Sequence, residues 1–82
     1  MDLVARNEQQ LAAALRRHRK KASFTQSDLA GRINKRQATI SGLETGKGGT
    51  LDTLFAILGA LDLELVVRLR TKTRAVDLED MF

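Results

Sequence analysis

Only one segment of this 82-residue chain has apolar side chains at every second position, which is the period of a β-strand. It is LELVVRLR, residues 63–70, and every second side chain is apolar: Leu63, Leu65, Val67 and Leu69. A lone strand leaves its backbone amides and carbonyls without partners. We therefore predict that the strand pairs with the same strand of a second copy, as an antiparallel ribbon in a homodimer. The alternative is that the preceding helix simply continues through this segment.

A chain this short can bury only a small core, and such cores often depend on disulfides, metals or a partner subunit for stability. The sequence has no Cys and a single His, His18, which excludes disulfides and predicts no metal site and no cofactor. It also has no apolar run near the roughly 18 residues of a membrane span and no signal-peptide pattern. We expect a soluble cytoplasmic protein with no membrane or small-molecule ligand.

The charge is unevenly distributed along the chain. Residues 1–48 hold ten Lys and Arg against four Asp and Glu, a net +6, whereas residues 49–82 hold four against six, a net −2. A basic half beside an acidic half suggests that the first meets a polyanion. The alternative is a solvated surface that happens to be basic.

The first two helical segments have recognisable starts. Asn7 is predicted as the N-cap of the first, with Gln10 completing a capping box. Thr25 and Asp28 have the same relation at the start of the second, and Phe24 is placed to close over it as a hydrophobic staple. Both segments then follow helical spacing of apolar residues.

Two more helices follow. The third covers about residues 36–45 and ends at Gly46, a residue type favoured just after a helix. The fourth begins after Thr50, with Ile57 at the edge of a wide apolar stripe made of Leu51, Leu54, Phe55, Leu58 and Leu61. The predicted organisation is mainly α: a lead-in over 1–6, a helical domain over 7–62, the dimerisation strand over 63–70 and a flexible, charged tail over 71–82.

The second and third helices are short and joined by a turn of a few residues, which predicts a helix-turn-helix. On a helical wheel the third helix turns five residues outward, and all but the first are small: Gln37, Ala38, Ser41, Gly42 and Thr45. Compact side chains let a helix axis approach base edges in the major groove of DNA. Gln37 can pair with adenine, Ala38 can contact a thymine methyl group, and Ser41 can bond to a base or the backbone.

Contacts to the DNA backbone are expected from the start of the second helix and from residues flanking the third. The predicted phosphate contacts are Thr25, Gln26, Ser27, Lys35, Arg36, Thr39 and Lys47. For any single cation among them, a solvated surface position is the alternative. No catalytic residues are predicted, since Gly46–Gly49 lacks the spacing of a phosphate-binding loop and the acids of the tail lie in a segment that we expect to be mobile.

The run FTQSDLAGRINKRQATISGLETGK resembles the Cro/C1-type (xenobiotic-response-element, XRE) helix-turn-helix family. More narrowly, QATIS followed by TLDTLFAILGALDLEL, a strand and a short tail is similar to HipB-type antitoxins. The resemblance implies a lambda-repressor-like domain of four to five helices plus the dimerising strand. It also implies a structural ion pair between Arg19 and Glu44, with Gln26 on a phosphate and Gln37 on a base.

The resemblance further implies a function. HipB-type proteins are homodimers that bind palindromic operator DNA, repress their own toxin–antitoxin operon and neutralise a HipA-type serine/threonine kinase toxin by binding it. Phe82 is a candidate toxin contact, with an incidental Phe at a disordered end as the alternative. Two other functions stay open: a stand-alone Cro/C1-type repressor without a toxin, and a protein-interaction module.

Overall fold

The computed structural model describes residues 2–70. It contains four α-helices: α1 (Glu8–Lys21), α2 (Gln26–Arg32), α3 (Gln37–Glu44) and α4 (Leu51–Ala60). The prediction of a mainly α fold is confirmed, and the helices begin where the predicted caps place them. The predicted tail, with Phe82, lies outside the described residues.

The start of α1 departs slightly from the predicted capping box. Asn7 Oδ1 accepts from the Gln10 amide at 2.8 Å, as expected of an N-cap. Gln10 Oε1, however, accepts from the Arg6 amide at 2.7 Å rather than from the amide of Asn7. The reciprocal bond therefore forms one residue earlier than predicted and holds the end of the lead-in against the first turn.

The start of α2 has the complete predicted box. Thr25 Oγ1 accepts from the Asp28 amide and Asp28 Oδ2 accepts from the Thr25 amide, both at 3.0 Å. These bonds, the backbone one first, favour the charged carboxylate and hold the pKa of Asp28 below its ordinary value. Phe24, predicted to close over this helix, lies under the guanidinium of Arg32, with 4.7 Å between its ring centroid and the Arg32 Cζ.

All four helices end in the same motif. The residue after each C-cap has a positive φ, between 57° and 75°, and these residues are Ser23, Asn34, Gly46 and Asp62. In each case the next amide reaches back five residues, as Lys47 N–H does to the Gly42 carbonyl at 3.0 Å. This is the Schellman arrangement, which satisfies carbonyls that the helix end leaves free. Between α2 and α3 it produces the tight turn.

The core takes one fully buried side chain from each helix: Leu15, Leu29, Ile40 and Ile57. Burying an aliphatic side chain of this size contributes about 1.5–3 kcal/mol relative to leaving it exposed. Leu54, Leu58 and Ala30 complete the cluster. The inward position of Ile40 fixes which face of α3 is turned outward.

The predicted apolar stripe of α4 is only partly buried. Leu54, Ile57 and Leu58 pack into the core, but Leu51 is 71% and Phe55 52% exposed. Leu51 and Phe55 are four residues apart and therefore share a flank of the helix. No other described helix covers that flank, so the stripe is wider than the contact surface that one chain offers.

The alternative in which α4 continues through residues 63–70 is wrong. The helix ends at Ala60, Asp62 has φ +57°, and the Leu63 amide donates to the Leu58 carbonyl at 2.7 Å. Leu63 packs against the core, whereas Val67 and Leu69 are more than nine-tenths exposed. Residues 63–70 pair with no strand within residues 2–70, so pairing between two copies stays a prediction. None of the described helices is long and apolar enough to cross a membrane.

Candidate nucleic-acid interface

The candidate interface is formed where the starts of α2 and α3 come together. A turn of only Ile33–Arg36 separates these helices, and its amides bond back to α2: Lys35 N–H donates to the Ala30 carbonyl at 2.9 Å. Arg36 is the N-cap of α3 but makes no side-chain cap bond. No side-chain cap therefore accepts from the amide hydrogens in the first turn of α3. This end of the helix also has a partial positive charge.

The outward face of α3 consists of the residues predicted from the wheel. Gln37, Ala38 and Thr45 are exposed, and Ser41 and Gly42 are half-buried. Thr45 Oγ1 lies 2.9 Å from the Ser41 carbonyl and 3.2 Å from that of Gly42, so its hydroxyl turns back onto the helix. This leaves Gln37, Ala38 and Ser41 as the side chains that face outward with free contact surface.

Gly42 is not required by packing inside the molecule. A Cβ built there would meet its nearest neighbour, the Gly48 carbonyl oxygen, at 3.8 Å, which is ordinary van der Waals contact. Its conformation is helical, and glycine within a helix costs about 1 kcal/mol relative to alanine. Packing inside the protein does not explain why a glycine is present here, whereas close approach of another molecule to α3 does.

A buried ion pair anchors the far end of α3. Arg19 Nε lies 2.7 Å from Glu44 Oε2 and Arg19 Nη2 lies 2.9 Å from Glu44 Oε1, with side-chain exposures of 8% and 2%. Arg19 Nη1 also donates to the Phe24 carbonyl at 2.8 Å. The pair implied by the resemblance is therefore present, and it connects α1, the start of α2 and the end of α3.

From Glu44, hydrogen bonds continue to the start of α3. Gln26 Nε2 donates to Glu44 Oε1 at 3.2 Å, and Gln37 Nε2 donates to Gln26 Oε1 at 3.4 Å. Ser27 Oγ donates to Gln37 Oε1 at 3.0 Å. The structure thus brings together one predicted base contact and two predicted phosphate contacts, and links them to the buried ion pair.

The other predicted phosphate contacts are spread around this cluster. Thr25 uses its hydroxyl to cap α2. Lys35 Nζ lies 3.2 Å from Asp52 Oδ2 on the surface, a pair weak enough to be exchanged for a phosphate. Arg36 and Lys47 are exposed and form no ion pair within residues 2–70, and Thr39 is half-buried.

Comparison with known proteins gives the family. The helix-turn-helix family model HTH_3 matches residues 15–67, more than half of the chain. Antitoxin HipB of Escherichia coli K12 is 42% identical over 59 residues, which cover 71% of this chain and 67% of that protein. The chain belongs to the HipB family of helix-turn-helix antitoxins. HipB of Escherichia coli O6:H1 is also 42% identical over 59 residues, 63% of its length.

Solved structures of HipB proteins have the same fold. A HipB variant in complex with an O2 20-mer superposes with a TM-score of 0.80 at 33% identity, covering 87% of this chain and all of that one. HipB in a HipA–HipB–O2–O3 complex gives a TM-score of 0.76 at 36% identity, covering 83% and 97%. The similarity therefore extends beyond the two helices of the motif to most of residues 2–70.

Sequence reasoning missed the bonds among Glu44, Gln26, Gln37 and Ser27. It placed Gln26 and Ser27 on phosphates by their position at a helix start and assigned Glu44 only to Arg19. The available signal is the short turn, because it brings the first residues of α2 and α3 side by side. The direction of each side-chain amide depends on its neighbours in three dimensions, so the spacing of residues along the sequence does not predict it.

Proposed function

We propose that this chain is a DNA-binding antitoxin that represses its own toxin–antitoxin operon and neutralises a HipA-type serine/threonine kinase toxin by binding it. The observation that carries the DNA-binding half is the outward face of α3. Gln37 and Ala38 lie at the start of this face, and Gly42, which internal packing does not require, lies further along it. The toxin-binding half rests on membership of the HipB family.

The proposed complex places α3 in the major groove. Gln37 and Ala38 lie at its N-terminal end, the part of a recognition helix that contacts base edges in helix-turn-helix proteins. Ser41 lies one turn further along the same face and can bond to a base. We assign these three residues to base contacts.

Phosphate contacts surround that face. The exposed cations Lys35, Arg36 and Lys47 flank α3 at both ends. Thr25 lies at the start of α2 and Thr39 in the first turn of α3. Attraction by such cations positions the protein without distinguishing sequences, and it weakens as salt rises. The net +6 of residues 1–48 favours DNA over a protein partner for this surface.

We propose that the protein acts as a homodimer, since two recognition helices related by two-fold symmetry match a palindromic operator. Residues 63–70 are exposed along most of their length, and beside them an open groove of about 880 Å³ is lined largely by apolar side chains. Leu3, Val4, Leu11 and Leu65 are among these. Pairing of the strand with its copy would cover part of this surface.

The proposed site of action is the cytoplasm at the nucleoid, and the proposed role is not catalytic. Within residues 2–70 no three His, Cys, Asp or Glu residues are grouped as a metal site would require. The matched relatives are named antitoxins, a name that states no reaction. The similarity to HipB antitoxins and to HipB in a HipA–HipB–O2–O3 complex does not favour the alternative of a stand-alone repressor without a toxin.

Gln37→Ala should lower affinity for the operator by about 1–3 kcal/mol while leaving binding to random DNA nearly unchanged. The substitution removes a side chain that can bond to a base but no positive charge. Fluorescence anisotropy with a duplex from the upstream region of the gene and a shuffled duplex of the same composition measures both affinities. Lys47→Ala is the matched control, because loss of a phosphate contact should weaken both duplexes alike. Equal losses on both duplexes for Gln37→Ala would remove it from base contacts.

Co-expression with a HipA-type kinase encoded beside this gene should give a complex that elutes as one peak in size-exclusion chromatography. The kinase activity in that peak should be lower than that of the free kinase. Gln37→Ala should leave the complex intact, because we assign Gln37 to a base contact and not to the toxin. DNA binding without any kinase complex would instead favour the stand-alone repressor.

A further inference from the structure

Helix α1 has four exposed cations in its C-terminal half: Arg16, Arg17, Lys20 and Lys21. None of the four forms an ion pair within residues 2–70. They instead form two like-charge pairs with a spacing of four residues, Arg16 with Lys20 and Arg17 with Lys21. Like charges at this spacing are neighbours on the helix surface and destabilise the helix. The stability of α1 therefore does not explain why these cations are grouped.

The helix dipole explains only part of the group. Lys20 and Lys21 lie in the last turn of α1, where the dipole favours a positive charge. Arg16 and Arg17 lie before that turn, and the effect of the dipole falls off within one turn of the helix end. The repulsion within each pair remains in either case. A polyanion bound against the helix would replace this repulsion with attraction.

The two pairs lie on different sides of α1. Gln9, Arg16 and Lys20 share one side, because spacings of seven and eleven residues are about two and three helical turns. A Cβ built on Gly46 would lie 3.4 Å from Gln9 Cγ, so this side of α1 begins against the loop that follows α3. Arg17 is turned about 100° away from Arg16 and borders a hollow beside Leu3.

The other end of the Arg16–Lys20 side lies beside the start of α2. The Ser23 amide donates to the Lys20 carbonyl at 3.0 Å, so the chain turns tightly from α1 toward the α2 N-cap, Thr25. Thr25 and Lys47, which follows Gly46, are both assigned to phosphates above. The side with Arg16 and Lys20 therefore runs between two groups of phosphate contacts. From Gln9 to Lys20 it is roughly 16 Å long, the rise of about five base pairs.

We propose that Arg16 and Lys20 contact DNA phosphates outside the base pairs that α3 reads, so that each protomer also binds the duplex that flanks its half-site. These contacts add affinity but no base preference, because phosphates are the same at every position. The inference rests on the proposed function, since α3 must first place the duplex against this side of the protein.

Duplexes with one operator core and flanks of different length test the extension. The core is the shortest duplex from the upstream region of the gene that the wild type still prefers over a shuffled duplex. Adding about five base pairs to one end should steepen the dependence of log affinity on log salt by about two, one for each cation. This corresponds to about a tenfold greater loss of affinity between about 50 and 200 mM salt. The second flank should add the same amount.

Two double variants separate a contact from an effect of net charge. Arg16→Gln with Lys20→Gln should remove the steeper salt dependence that the flanks produce. Arg17→Gln with Lys21→Gln is the matched control and should keep it, because this variant removes the same residue types and the same charge from the other side of α1. Equal losses for the two variants on the core and on the flanked duplexes would show an effect of net charge alone and overturn the proposal.

Stability and toxin binding of the same variants exclude two other roles. Both should melt close to the wild type in circular dichroism, because each loses one favourable interaction with the helix dipole and one like-charge repulsion. A lower melting temperature for Arg16→Gln with Lys20→Gln, together with unchanged DNA binding, would assign this side to the fold and overturn the proposal. Loss of the kinase complex with unchanged DNA binding would assign it to an acidic protein surface, with the same result.

The duplex series also distinguishes this inference from the proposed function. Specific binding of the core without any gain from the flanks would overturn the inference and leave the function intact. A wild-type protein that binds every core and its shuffled duplex equally would contradict the proposed function, and this inference with it.

Discussion

Replacing Glu44 with alanine should lower the free energy of unfolding by about 3–5 kcal/mol. The substitution leaves Arg19, a residue only 7% exposed, without its carboxylate partner, and it opens a space at the end of α3. A loss of this size is a large part of the roughly 5–15 kcal/mol that stabilises a typical domain. Urea and thermal unfolding followed by circular dichroism, at one fixed protein concentration, measure it.

The surface pair of the same molecule is the matched control. Lys35 and Asp52 lie 3.2 Å apart with side-chain exposures of 34% and 83%, so solvent screens their attraction. Asp52→Ala should therefore change stability by less than about 1 kcal/mol. Glu44→Gln, which keeps part of the hydrogen bonding, should fall between the two. Equally small losses for Glu44→Ala and Asp52→Ala would show that the buried pair does not stabilise the fold.

Val67→Pro should convert the dimer to monomers, provided that the Val67 amide faces the partner strand. Proline has no amide hydrogen, and its ring is poorly tolerated inside a paired strand. Sedimentation velocity over a range of concentrations measures the change. Operator affinity should fall with it, because one recognition helix then reads one half of a palindrome.

The neighbouring residue provides the control for this experiment. In an antiparallel pair the amides of successive residues point alternately toward the partner strand and away from it. Val66→Pro and Val67→Pro should therefore differ strongly, one giving monomers and the other leaving a dimer. Val66 and Val67 are both exposed in the single chain, so neither change disturbs the core of residues 2–70. Two intact dimers would refute the ribbon.

The helix starts could be predicted from the sequence because caps are local. Asn7, Thr25 and Thr50 each accept a hydrogen bond from an amide three residues later. The residue type and this short spacing are therefore enough to predict the cap. The helix ends were harder to place. Gly46 was recognisable, but Ser23 and Asp62 adopt the same left-handed conformation with side chains that give no such signal.

Burial and side-chain direction could not be obtained in this way. The periodicity of α4 marks Leu51 and Phe55 as apolar but does not say whether the chain has a surface to cover them. At the interface, the outward position of Gln37 follows from helical geometry, whereas its bonds to Gln26 and Ser27 depend on how two helix ends meet. The helical pattern of α3 located its outward face, but only tertiary contacts determine the orientation of the Gln37 side-chain amide.

The short recognition helix has a consequence for changing DNA specificity by design. Of the eight residues of α3, Ile40 and Glu44 are buried and Leu43 packs against the core, so these three hold the helix to the rest of the protein. Substitutions at Ala38 and Ser41 can therefore change the preferred bases with little effect on folding. A library varied at those two positions, with Ile40, Glu44 and the cluster around Gln37 kept, should consist mostly of folded proteins. The small size of this scaffold makes it a convenient starting point for retargeted repressors.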